Sequence, residues 1–555
     1  MVTKTQLLRR YNDKDVIVDN NNALMSPSRK KQLGLLSLDF LDNGSIFEHA
    51  ITCAEFGRFH YFLLALCGLI YMNCAISVSV VSFVLPSAQC DFQLSSSDKG
   101  LLNAVPLLGM LLGAYFWGCL ADMHGRKKTL IAALLVDGLF SLLSSFLTYF
   151  WPFLFCRFFS GFGLSGYLGI CFSYLGEFQP KIYREKVLSW LEMFWTVGII
   201  LLPLVAWGII PMTANYAIGT LRYSSWNLFL TLCSLPSILL ALWLTRFPES
   251  PKFLLECGEF DEALECLKRI YTENTGEPGD AYPVRSLIEN EVRCSVISIQ
   301  SKRSLRSMKT VKTPKDLKNL LNEVWYQTKE MFKPPHLKNT LLTCLIQFGL
   351  TSSYYTLMMW FPELFNRFET FERQQPGVDV SVCQVSSVYI EHDGALNTAD
   401  LCGSAVGESV YTHTLWIGIA CIPTSLWMPL CVHRLGAKFF LVMCLFVSGI
   451  VAAALYFVKN ALQNLILSCL FEAFSGLGIS VLLCIMVDLF PTNMRVMAAA
   501  ASATFGRLGS LMANITFGLL IDSHCILLII IFSSLLIISG LLSLALPSGN
   551  DKDLD

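Results

Sequence analysis

Long apolar runs separated by short polar gaps set the pattern of this chain. Windows of about 19 residues mark six spans in the first half, at 61–85, 100–120, 128–150, 152–176, 187–211 and 227–245. Six more follow, at 337–362, 412–432, 436–458, 462–489, 497–520 and 525–546. Each run approaches or exceeds the roughly 20 residues that an apolar helix needs to cross a bilayer. A polar stretch from Arg246 to Pro335 divides the two sets. It opens with an amphipathic helix pattern, "DEALECLKRIY", and contains a basic segment, Lys302 to Lys318, read as a solvated linker or a contact for anionic lipid.

The predicted fold is an all-α integral membrane protein with twelve transmembrane helices in two six-helix halves. Its expected divisions are an N-terminal tail (1–60), a first half (61–245), a central loop (246–336), a second half (337–546) and a C-terminal tail (547–555). A further loop is expected at 363–411, between spans seven and eight. Composition agrees: 54% of the 555 residues are hydrophobic and 15% charged, against roughly 25% charged in soluble domains. Net charge is −1, so bulk attraction to nucleic acid is not expected. The twenty cysteines are scattered through apolar runs without metal-ligand spacing. No metal or cofactor is implied, and no cleavable signal peptide is expected, because the first thirty residues lack an apolar core.

Bases gather in alternate gaps: Arg126, Lys127 and Lys128, then Lys181, Arg184 and Lys186, then the central loop. The positive-inside rule therefore predicts cytoplasmic termini in a plasma or vesicle membrane. It puts the 363–411 loop, with eight acids against Arg367 and Arg373, outside or in a lumen. Cys383 and Cys402 in that loop are a candidate disulfide in an oxidising compartment, or two free thiols. The loop holds no N-glycosylation sequon.

An internal repeat supports the division. "FCRFFSGFGLS" (155–165) matches "LFEAFSGLGIS" (470–480). The helix after each ends alike, Glu177-x-x-Pro180-x-x-x-Arg184 against Asp488-x-x-Pro491-x-x-x-Arg495. Duplicated halves of this kind mark transporters.

The stretch "GCLADMHGRKK", Gly118 to Lys128, resembles the loop between spans two and three of the major facilitator superfamily, with Met123 where that family usually has a base. Arg157 with Gly161, Gly163 and Gly166 is similar to that family's fourth-helix pattern, and "PESPKFLLECGEFDEAL" resembles its sugar-transporter-like branch. "SFVLPSAQ", "SWLEMFWTVG" and "SSYYTLMMWFPELF" resemble the synaptic vesicle glycoprotein 2 group, although the 363–411 loop is far shorter than theirs. The resemblance implies a cytoplasmic latch built from Gly118, Asp122, Gly125, Arg126, Arg157, Glu177, Arg184, Asp488 and Arg495. Topology anchoring alone is the competing reading of these charges.

Ionisable groups inside spans are costly and point to function. Asp137, Glu192 and Arg507 are candidates for coupling or counter-charge; a buried acid–base pair would account for them equally. The resemblance also implies a midplane substrate cavity lined by Trp195, Gln347, Tyr354, Tyr355, Trp360 and Asn73. In span one, Cys74 and Ser77 stand where the vesicle glycoproteins carry an acidic pair.

The expected function is alternating-access transport of a small organic solute: a sugar, an organic cation or an organic anion. Protons or another ion are candidate coupling partners, the bilayer is the medium, and a monomer is expected. The alternative is a non-transporting membrane protein of the same fold that serves in binding or trafficking. No catalytic constellation or phosphate loop indicates an enzyme.

Overall fold

In a computed structural model, residues 43–212, 216–218, 221–287, 326–375 (apart from 327, 330 and 335), 381–385, 406–490 and 495–547 are described. Residues 1–50 form one unit, in which the described residues begin the helix Asn43–Cys53. The second unit is 51–555.

Among the described residues, twelve long helices carry the fold. The first half comprises α1 (Arg58–Phe92), α2 (Ser96–His124), α3 (Arg126–Ser144), α4 (Phe150–Glu177), α5 (Lys181–Ile209) and α6 (Ser225–Leu244). Two amphipathic helices follow, α7 (Pro251–Cys257) and α8 (Phe260–Thr275). The second half comprises α9 (Leu337–Gln374), α10 (Glu408–Leu435), α11 (Ala437–Ala454), α12 (Ala461–Leu489), α13 (Arg495–Leu520) and α14 (Cys525–Leu544). Among the described residues, eight of these pass as membrane spans by length and composition. A small antiparallel hairpin, β1 (Tyr216–Ile218) and β2 (Leu221–Tyr223), lies between α5 and α6 with Tyr216 opposite Tyr223.

Local chemistry sets the helix ends. Ser95 caps α2: its hydroxyl accepts from Asp98 N (3.2 Å), while Ser95 N donates to the Asp98 carboxylate (3.1 Å). Ser250 caps α7 by accepting from Phe253 N (3.2 Å), with Pro251 at the first helical position. Within the bundle, lipid offers no hydrophobic drive for helices to associate, so close contact depends on small residues. A Cβ on Gly109 would fall 2.2 Å from the Phe158 carbonyl, and one on Gly161 2.1 Å from that of Pro106. Those glycines seat α2 against α4.

Two expectations need correction. Span seven does not end at 362: α9 continues through Pro362 to Gln374. The apolar stripe of Phe361, Leu364, Phe365, Phe368 and Phe371, all buried, carries the helix past the proline. Packed neighbours tolerate the break in its hydrogen-bond ladder. Glu363 and Arg367 are thus helical residues, and the connecting loop starts after them. The second correction concerns Cys383, which is bonded to Cys525 at a Cα–Cα distance of 5.4 Å, and not to Cys402. Val382 beside it lines a small apolar hollow with Leu455, Leu528 and Phe532, which brings the 381–385 segment to the start of α14. Cys402 lies outside the described residues.

Candidate functional site

Functional side chains fall into three layers along the bundle. At the end where α2 begins, a charged network joins the two halves. Lys99 of α2 donates to Gln89 of α1 (3.0 Å) and pairs with Glu363 of α9. Arg367, one turn on, donates to Glu363 (3.0 Å), to Asp522 just after α13 (2.8 Å) and to the Ser96 hydroxyl (2.8 Å). The side chains of Lys99, Glu363 and Arg367 are each at most 1% exposed. Below them Gly100 and Gly518 meet backbone to backbone: a Cβ on Gly100 would sit 2.8 Å from the Gly518 Cα. This end of the interface between the halves is therefore closed. Sequence reasoning missed the network because it assigned Glu363 and Arg367 to a loop. Their i,i+4 spacing, in phase with the apolar stripe of α9, was the available signal.

The middle layer holds a cluster of buried polar groups. Asp137 of α3 is fully buried and accepts hydrogen bonds from five hydroxyls. Ser141 (3.3 Å) and Ser160 (2.7 Å) donate to one oxygen, and Ser77 (3.2 Å), Tyr167 (2.9 Å) and Ser237 (2.9 Å) to the other. Helices α1, α3, α4 and α6 are thereby tied together around one carboxyl. Asn73 donates to Ser237 (2.8 Å) and belongs to this interior cluster rather than to a cavity wall.

Between the halves, Tyr71 donates to Glu192 (3.3 Å) and packs on Trp195, with ring centroids 5.4 Å apart. Tyr355 faces them from the second half beside Tyr354 (5.1 Å). Arg507 of α13 reaches across to donate to the Met110 carbonyl of α2 (3.2 Å). Gln347 is buried against Gly506, and its side-chain oxygen has no partner. Trp360 departs from expectation: it is fully buried against Phe517 (4.6 Å) in the packing of the second half. Five residues beyond Tyr355, at 3.6 per turn, it points to another face of α9. Glu472 of α12 is 1% exposed; the Tyr354 hydroxyl lies beside its carboxyl, though neither oxygen holds a hydrogen bond of full geometry.

The third layer lies where α2 meets α3. Arg126 is its hub, pairing with Asp122 (3.2 Å) and Glu177 (3.3 Å), donating to the Ala121 carbonyl (3.1 Å) and lying over the Phe253 ring (5.3 Å). Glu177 also accepts from Ser250. Glu249, which sequence reasoning did not single out, accepts from Lys127 N (2.8 Å) and Ser250 N (3.0 Å). Arg184 donates to the carbonyls of Gly176 (3.0 Å) and Gln179 (3.1 Å), closing the turn after α4. Cys266 of α8 donates to the Glu249 carbonyl (3.7 Å), and burial pushes its thiol up to about 12.

One latch assignment changes, and the packing gives no reason for another. A Cβ on Gly118 would meet nothing within 4 Å, so close packing does not explain that glycine. Arg157 does not belong to this layer: at about 1.5 Å per residue it lies roughly 30 Å along α4 from Glu177. It is buried, donating to Ser144 (2.8 Å), whose neighbour Ser141 serves Asp137. The side chains of Asp488 and Arg495 lie outside the described residues.

The family model for sugar (and other) transporters matches residues 68–368. The chain belongs to the sugar (and other) transporter family. Among curated relatives of this family member, synaptic vesicle glycoprotein 2B of Mus musculus is 35% identical over 367 residues, covering 64% of this chain and 53% of its own length. Synaptic vesicle glycoprotein 2C of Homo sapiens is 36% identical over 331 residues, covering 59% and 45%. The chain spans about half the length of the curated relatives it matches. A partially occluded, inward-open structure of the xylose transporter XylE from E. coli aligns with a TM-score of 0.60 at 15% identity, covering 88% of this chain and 100% of that one. The fold is the twelve-helix major facilitator fold, and the chain is a multi-pass membrane protein. Family and fold are those of transporters rather than enzymes.

Proposed function

We propose that this chain is a secondary transporter that carries a small sugar-type solute by alternating access. The observation that carries the reading is the buried network of Lys99, Glu363, Arg367 and Asp522, which joins the halves at one end. A seal of discrete ion pairs between two packed bodies is a two-state element of the sort that rocking transporters need. The aromatic pairs Tyr71–Trp195 and Tyr354–Tyr355, with the buried amide of Gln347 nearby, suit a ring-shaped polar solute.

Lysine and arginine bias puts the Arg126 layer in the cytoplasm. The Cys383–Cys525 disulfide supports the same orientation, because it falls beside Asp522 at the opposite end, where an oxidising compartment would keep it. The deciding experiment is uptake of radiolabelled D-xylose, D-glucose and related monosaccharides into proteoliposomes holding the full chain. Saturable uptake above empty liposomes is expected. Failure across the panel by folded protein would overturn the proposal and favour the non-transporting reading.

A further inference from the structure

The repeat that relates the halves puts Arg157 in α4 and Glu472 in α12 at matching positions. Their surroundings differ. Arg157 has Ser144 as a partner and lies over the Phe153 ring (5.7 Å). Glu472 is sealed among α9, α10 and α12, with the Tyr354 hydroxyl as its neighbouring donor, no hydrogen bond of full geometry on either oxygen and no salt-bridge cation among the described residues. The titratable groups facing it are Tyr354 from α9, Cys421 from α10 and Cys469 from its own helix, with Tyr355 beyond. No charged group of α11 or α13 reaches it among the described residues. Arg507 of α13 is directed instead to the Met110 carbonyl and Tyr355.

A bare carboxylate in such a place costs several kcal/mol of lost solvation. A carboxylic acid there costs far less, and the Tyr354 hydroxyl beside it is placed to share a hydrogen bond with it. Asp137 is the contrast, since five hydroxyl donors already meet its two oxygens. Glu192 differs in another way: it is half-buried at the interface between the halves, with Tyr71 as its donor.

We infer that Glu472 is a proton-binding site, loaded while the Lys99–Arg367 end is closed and discharged when water enters the second half. This rests on the transport reading above and names the carboxyl through which transport would couple to protons. The step is a simple exchange: the Glu472 O–H bond breaks, the proton passes to water, and the hydrated carboxylate remains until it is reloaded.

The test is infrared spectroscopy of the full chain in lipid nanodiscs, without solute. A protonated-carboxyl C=O band at neutral pH is expected in the wild type and in Glu192→Gln, and is expected to be lost in Glu472→Gln. A wild type lacking that band, or a folded Glu472→Gln protein retaining all of it, overturns the inference. If Glu472→Gln does not fold, the wild type is treated with dicyclohexylcarbodiimide, which attacks protonated carboxyls in apolar surroundings, and the adducts are mapped by mass spectrometry. An adduct at Glu472 at neutral pH, declining by up to about tenfold per pH unit above its midpoint, supports the site. Adducts elsewhere but none at Glu472 refute it. Because no solute is present, a proton site without sugar uptake would refute the transport reading alone.

Discussion

At position 125 a Cβ would fall 2.4 Å from Glu249 Oε2, and the backbone there has φ +99°. Both facts require glycine, because L side chains are strained at that angle and the space is already filled. The same carboxylate takes the amides of Lys127 and Ser250, so one residue joins the α2–α3 turn to the entry of α7. Gly125→Ala is therefore expected to cost about 1–3 kcal/mol, read as a lower midpoint for thermal unfolding in detergent. An unchanged midpoint would show that the turn is not held as described. Gly125 and Arg126 were legible in the sequence because their motif is local. Glu249 was not, because its partner is distant in the chain and a glutamate after an apolar run looks like an ordinary span end. Asp137 was visible as an acid within a span, yet its five donors come from four helices, which only the packing brings together.

Helix α9 shows how an element can be found while its end is misplaced. Its apolar run announced a span, but Pro362 and the charges beyond it resembled a boundary. The tertiary context overrides both: the proline is enclosed by packed helices, and the charges find partners on α2 and beside α13. Arg367→Ala would leave Glu363 and Asp522 in place without that guanidinium. Removing one partner of a buried ion pair typically costs about 3–5 kcal/mol, a penalty borne by the closed state, since water would hydrate the acids once this end opens. With a fluorophore pair introduced through noncanonical residues at Ser95 and Ser523, Arg367→Ala should shift the single-molecule distance distribution toward longer separations. A distribution identical to wild type would mean that these charges do not hold the halves together.

Across the whole molecule, apolar periodicity and the repeated glycine pattern were enough to indicate twelve helices in two sets. The disulfide was misread because proximity in sequence favoured Cys402, whereas Cys383 is carried onto the start of α14 by the apolar Val382 at its side. That bridge also makes the proposed orientation testable. In Cys383→Ser, a membrane-impermeant maleimide should reach Cys525 from the external or lumenal face, and unfolding stability should fall by about 2–4 kcal/mol. Labelling that requires access from the cytoplasmic face would reverse the assignment. The closed end has one more consequence, which follows from how its charges are divided. Lys99 belongs to the first half, whereas Glu363, Arg367 and Asp522 belong to the second and sum to a single negative charge. Under the proposed alternating access, parting of the halves would expose two lips of opposite sign and no net charge. Such a mouth is a dipole, not a monopole: it can orient an approaching neutral, polar molecule without drawing in cations or anions as a class.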